Sequence, residues 1–84
     1  MSVEIYTQPW CPYCERAMAL LDRKGVGYRE IPAAQGSPAR NEATQRSGRS
    51  SVPQIFIGER HVGGCDDLIA LERSGRLDEM LAAA

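Results

Sequence analysis

"VEIYTQPWCPYCERAMALLDRKG" (residues 3–25) holds two cysteines three positions apart, and the residues on either side of them decide the fold. Val3–Thr7 is a short β-branched and aromatic run, which reads as a strand. From Pro12 onward the apolar period changes: Cys14, Ala17, Met18 and Leu21 fall at i, i+3, i+4 and i+7, one face of a helix. Pro12 takes the first-turn position that proline tolerates best, and Lys24-Gly25 supplies a stop. A Cys-x-x-Cys turn between a strand and a helix is the placement of a thioredoxin-like redox motif, and two cysteines this close brace no distant parts of a chain.

Outward from that unit, "VGYREIP" (26–32) reads as a weaker second strand. Ser37-Pro38 caps a helix through about Arg46 whose apolar face is thin, mainly Ala39 and Ala43. "QIFIGERHVGG" (54–64) reads as a hairpin turning at Gly58-Glu59, and the unbroken Ile55-Phe56-Ile57 calls for a strand covered on both faces. "CDDLIALERSG" (65–75) gives a helix with Asp66 in its first turn and Gly75 past its end, followed by a short helix carrying Leu77, Met80 and Leu81. The order β-α-β-α-β-β-α, with that last helix, makes an α/β sandwich: a small four-stranded mixed sheet flanked by helices. Tyr6 and Phe56 are expected in the core, and residues 1–84 are expected to form one domain.

Composition narrows the function classes. The chain has 84 residues, 43% hydrophobic and 25% charged, with a net charge of −1. It is sized for one core, with a radius of gyration of roughly 12 Å. A near-neutral chain carries no long-range field for nucleic acid or an anionic membrane, so partners are chosen locally. No basic leader opens the sequence and no apolar run approaches the ~20 residues a bilayer requires, so the chain reads as cytoplasmic. Three cysteines are an odd count, which disfavours a secreted disulfide scaffold.

The blocks "CPYC" (11–14), "VP" (52–53) and "GGCDD" (63–67), in this order and spacing, resemble those of dithiol glutaredoxins, small bacterial ones in particular, over essentially the whole chain. Helix geometry agrees with what that resemblance implies. Cys11 sits at the helix mouth, where free N–H groups and the positive dipole end favour an anion, and Cys14 lies one turn in, on the apolar face. Cys11 is therefore the expected nucleophile. The i and i+3 α-carbons of a helix lie roughly 5–5.5 Å apart, within disulfide range, so Cys14 can resolve a mixed disulfide. Lowering a thiol's pKa from about 8.5 to about 6 speeds its attack only about twofold, because nucleophilicity falls as thiolate fraction rises; the larger gain comes when that sulfur leaves. That asymmetry suits removal of glutathione from mixed disulfides.

The resemblance further implies glutathione as co-substrate, with no permanent cofactor and no metal. It implies a cis Val52–Pro53 bond, with the Val52 backbone pairing to the tripeptide like an added strand. Gly63 and Gly64 allow close approach, while the helix start at Gly64, Cys65 and Asp66 meets the γ-glutamyl end. Tyr13 flanks the groove, and Trp10 is expected to shield the active turn. Gln8 departs from a family lysine, an omission worth roughly 0.7 kcal/mol at ~6 Å in water-like dielectric and about four times that at an effective ε of 20. Arg40 is the candidate to compensate, and Ser51 replaces the usual threonine. Expected partners are disulfide-bonded or glutathionylated proteins, ribonucleotide reductase among them, for a monomeric enzyme of electron transport and cell redox homeostasis.

Other readings stay open. Cys11, Cys14, His61 and Cys65 have the softness for zinc, but their spacing does not suit a compact finger and His61 reads as a strand surface residue. Some glutaredoxins share an iron–sulfur cluster between two copies; Pro12, which stiffens the turn and removes an N–H, weighs against that. A donor recharged by thioredoxin reductase is the third alternative, against which "GGCDD" speaks. Cys65 reads first as a small helix-start residue, with a regulatory thiol as the sharper alternative.

Overall fold

A computed structural model describes residues 2–83. The elements run β1 Val3–Thr7, α1 Pro12–Arg23, β2 Tyr28–Pro32, α2 Pro38–Ser47, β3 Gln54–Ile57, β4 Arg60–Gly63, α3 Cys65–Arg73 and α4 Arg76–Ala83. The strands form one sheet in the order β2-β1-β3-β4, with β1 parallel to β2 and antiparallel to β3, and β3 antiparallel to β4. This is the small mixed sheet flanked by helices that the element order predicts, with a radius of gyration of 11.8 Å.

Strand alternation divides the interior in two. Val3, Ile5, Ile55 and Ile57 point to one face, where Ala17, Leu20 and Leu21 of α1, Cys65 and Leu68 of α3 and Leu77 of α4 bury them. Tyr6 and Phe56 point to the other, against Ala43 of α2 and Ala33. Ile55-Phe56-Ile57 is an unbroken apolar run because both of its faces are covered. The ends of α1, α3 and α4 are tied together by Lys24 Nζ, 2.6 Å from Glu72 Oε1 and 3.0 Å from Asp78 Oδ1.

The thin apolar face of α2 has a physical counterpart. Alanine at position 43 lets the helix approach the sheet closely, and polar contacts supply the rest of the docking. Arg46 lies 3.9 Å over the Phe56 ring while donating to Tyr6 Oη at 2.8 Å and Glu4 Oε1 at 2.9 Å. Tyr6 Oη in turn donates to Glu42 Oε1 at 2.9 Å. A guanidinium over an aromatic face is worth about 0.5–2 kcal/mol, more as it is desolvated.

Candidate active site

The turn between β1 and α1 carries the cysteine pair. Cys11 is the N-cap residue of α1, in extended backbone, and its sulfur takes the place usually held by a serine or aspartate oxygen: Sγ accepts from the Cys14 N–H at 3.1 Å. An amide aimed at a sulfur binds a thiolate more strongly than a thiol, by the ordinary charge-assisted gain. Pro12 at N1 has no N–H to leave unsatisfied. Both thiols are free, Cys11 8% exposed and Cys14 1%.

The two thiols differ electrostatically. Burial, and then the hydrogen bond with Cys11, pushes the Cys14 thiol up to about 12. Cys14 therefore holds its proton at neutral pH and requires deprotonation before it attacks. One sulfur, 8% exposed, caps the mouth of a helix, and the other is a proton-bearing thiol fully buried one turn deeper.

A cleft of about 200 Å³ lies beside the pair. Of the residues singled out from sequence, Tyr13, Ser51, Val52, Pro53, Gly64, Cys65 and Asp66 line it, drawn from the start of α1, the loop before β3 and the start of α3. The Val52–Pro53 peptide bond is cis. Tyr13 is half-exposed, with the Arg16 guanidinium 5.5 Å from its ring centroid. Gln8 and Arg40 are outside this cleft and bond to one another: Arg40 Nη1 donates to Gln8 Oε1 and to the Ala33 carbonyl, each at 2.9 Å, and Nε donates to the Ser50 carbonyl at 3.0 Å.

Two cleft residues escape the sequence reading. Asp67 Oδ2 accepts from the Gly64 N–H at 2.9 Å and from Arg49 Nη1 at 2.8 Å. The Arg49 bond, then the Gly64 amide, holds the Asp67 carboxyl below the usual carboxylate range. The capping-box spacing, an acidic side chain three positions after the N-cap residue, is the signal that picks out Asp67 rather than Asp66. Arg49 has no local signal, since its partner lies in another element.

Behind the loop, Gln54 is 0% exposed and fully bonded. Its Nε2 donates to the Ser51 carbonyl at 3.1 Å and to Ser51 Oγ at 3.4 Å, and its Oε1 lies 2.7 Å from His61 Nε2. His61 is thus not a free surface residue of its strand: it is half-buried, stacks 5.0 Å from Phe56, and has its pKa lowered by burial first and by Arg49 second. The register brings this about: the hairpin pairs Ile57 with Arg60 and therefore sets His61 across from Phe56, and the bulge falls just beyond that pair, where Ile55 meets Gly63.

One further expectation changes, and for Cys65 the first reading is the one that fits. Trp10 does not shield the thiol; it is 98% exposed, in left-handed backbone at φ 59°, a conformation of order 1–3 kcal/mol in cost for a bulky residue. Cys65 is packed into the main core, and burial, then Asp66, pushes its thiol up, which fits the small helix-start residue and not a reactive thiol. Cys11, Cys14, His61 and Cys65 form no metal cage, and among the described residues no group of three or more such side chains is placed to hold a metal ion. Nor is any described helix long and apolar enough to cross a membrane.

Comparison with known proteins gives a consistent result. The family profile described as Glutaredoxin matches residues 3–62. A Pseudomonas aeruginosa protein named glutaredoxin is 60% identical over 82 residues, covering 96% of both chains. The solution structure of a glutaredoxin from Brucella melitensis superposes with a TM-score of 0.84 at 58% identity, over 96% of this chain and 88% of that one. A crystal structure of a buckwheat glutaredoxin–glutathione complex superposes with a TM-score of 0.86 at 33% identity, over 96% of this chain and 76% of that one.

Proposed function

This chain belongs to the glutaredoxin family of oxidoreductases, with the thioredoxin-like α/β fold, and from that premise we propose that it is a glutathione-dependent thiol–disulfide oxidoreductase in which Cys11 attacks and Cys14 resolves. The observation that carries the reading is the inequality of the two sulfurs: Cys11 Sγ receives the Cys14 amide at the mouth of α1, while Cys14 is buried and protonated.

On a glutathione-mixed disulfide, the Cys11 thiolate attacks the glutathionyl sulfur and the substrate thiolate leaves, taking a proton from solvent. A second glutathione, as thiolate, attacks the Cys11-bound sulfur; Cys11 thiolate departs and glutathione disulfide is formed. Cys14 is not needed in that cycle. On a protein disulfide, Cys11 forms a mixed disulfide with one substrate cysteine. Cys14 then surrenders its proton and attacks Cys11 Sγ, releasing the reduced substrate and leaving a Cys11–Cys14 disulfide that two glutathiones reduce.

In this reading the 200 Å³ cleft receives glutathione. The Val52 backbone pairs with its cysteinyl residue and the opening of α3, at Gly64, Cys65 and Asp66, meets its γ-glutamyl carboxylate and ammonium. Tyr13, Pro53 and Ser51 form the walls, and Arg40, held through Gln8, takes the place of the family lysine near the glycyl carboxylate. The buckwheat complex, similar over most of this chain, supports glutathione as the ligand. Glutathionylated and disulfide-bonded proteins are the clients, ribonucleotide reductase a candidate among them, for a cytoplasmic monomer whose 1–84 stretch is one domain.

The deciding experiment is NADPH consumption coupled through glutathione reductase, on both substrate types. Cys11→Ser abolishes both activities, whereas Cys14→Ser retains turnover of the mixed disulfide and loses reduction of the protein disulfide. Retained activity in Cys11→Ser, or loss of both in Cys14→Ser, overturns the assignment.

A further inference from the structure

A second cleft, of about 260 Å³, opens onto the dithiol itself and shares no lining residue with the first. Cys11 and Cys14 contribute to its lining, and around them stand Trp10, Met18 and two carboxylates, Glu15 and Glu30. In the proposed pose glutathione meets this cleft only at Cys11 and Gln8, away from Trp10, Glu15 and Glu30.

Its chemistry is lopsided. No basic side chain lines it. Arg40, which bonds Gln8 of this lining as well as the Ala33 and Ser50 carbonyls, does not itself line the cleft. Glu30 Oε2 accepts from Thr7 Oγ1 at 2.6 Å, which fixes that carboxylate, and its other oxygen has no protein partner among the described residues. Trp10 stands next to the nucleophile with 98% of its surface in water, in a backbone conformation that favours glycine. An indole held out in this way adds nothing to packing and offers its whole face to a partner. Two carboxylates beside a free aromatic face make a site for a cation on an aliphatic stem.

We propose that this cleft docks the polypeptide side of a disulfide substrate and favours segments carrying lysine or arginine beside the reacting cysteine. This rests on Cys11 being the nucleophile. The stem lies on Trp10, and the cation reaches Glu15 and Glu30. In the step it assists, the Cys11 thiolate attacks the peptide cysteine sulfur, a Cys11–peptide disulfide forms, and the other sulfur leaves as a thiolate.

The test uses the full chain carrying Cys14→Ser, so that the adduct persists, with short peptides whose single cysteine is activated as a 2-pyridyl disulfide. Cys11 attacks the peptide sulfur and pyridine-2-thione is released, which gives the second-order rate directly. With lysine flanking the cysteine, reaction is about fivefold to tenfold faster than with glutamate, and the ratio shrinks as salt is raised. Glu30→Gln and Trp10→Ala each lower the ratio, whereas Glu79→Gln, an equal charge change on α4, leaves it alone. A ratio near one in the parent, an unchanged ratio in Glu30→Gln and Trp10→Ala, or an equal fall in Glu79→Gln overturns the proposal. Failure of the underlying reading looks different: both peptides react no faster than with an ordinary free thiol, and the glutathione-coupled assay shows no turnover.

Discussion

Gly63→Ala tests how the wall of the cleft at the start of α3 is built. Gly63 has φ +119°, and a Cβ there would sit 2.7 Å from Asp67 Cγ and closer still to Oδ2. Asp67 is no loose end that swings aside, because its Oδ2 is bonded to the Gly64 N–H and to Arg49. An L residue in that backbone region costs of order 1–3 kcal/mol. Displacing Asp67 forfeits a helix cap worth about 1 kcal/mol, and a half-exposed ion pair worth about 0–1 kcal/mol. A total near 3 kcal/mol lowers the melting temperature by roughly 12–24 °C, at about 4–8 °C per kcal/mol for a domain of this size. Asp67→Ala alone loses only the cap and the pair, about 1–2 kcal/mol. The double variant removes the two atoms that the new Cβ meets most closely, Asp67 Cγ and Oδ2, and cannot lose the cap twice, so its cost falls short of the sum by about 1 kcal/mol. Thermal melts followed by circular dichroism read all three. A Gly63→Ala melt within about 3 °C of the parent, or strict additivity in the double variant, refutes the reasoning.

Gln54→Leu leaves the Ser51 carbonyl and the His61 ring without their partner at a buried position; it lowers stability by about 2–3 kcal/mol in urea melts and raises the KM for glutathione severalfold, while the rate of Cys11 alkylation is unchanged. His61 titrates below 6.5 in proton NMR, since burial and Arg49 favour its neutral form. The folded state then binds fewer protons than the unfolded, so this contribution to stability is complete above the unfolded value and declines as pH falls through the lowered folded value; urea midpoints at neutral and mildly acidic pH read it. Because Cys14 is held up near 12, single-turnover release of a protein substrate from its mixed disulfide with Cys11, without glutathione present, accelerates with pH between about 7 and 9 and does not occur in Cys14→Ser; stopped-flow rates across that range check it.

Much of this protein is legible along the chain because its signals are local. Pro12, Lys24-Gly25 and Ser37-Pro38 mark helix ends through backbone effects that act within a turn, and the helices begin and end there. The two cysteines and their unequal settings follow from one helical turn. Even the apolar run Ile55–Ile57 announces a strand covered on both faces. Asp67 was within reach of the capping-box spacing, although Asp66, its neighbour, draws the eye first.

Arg49 and His61 belong to another class. Each gains its role from a partner in a different element, Asp67 eighteen residues on and Gln54 across a bulged hairpin, and nothing in their own neighbourhoods encodes it. Arg40 and Gln8, thirty-two residues apart, meet only because α2 packs near the end of β1. The free stance of Trp10 could not be read either, because exposure depends on what the rest of the chain leaves uncovered. Sequence by itself determined the order of elements and the placing of the two sulfurs one turn apart at the mouth of α1, since propensity, capping and helix-end geometry act over a few residues; the tertiary structure alone decided which side chains wall the clefts, because hydrogen bonds and ion pairs form wherever packing brings distant residues within about 3 Å.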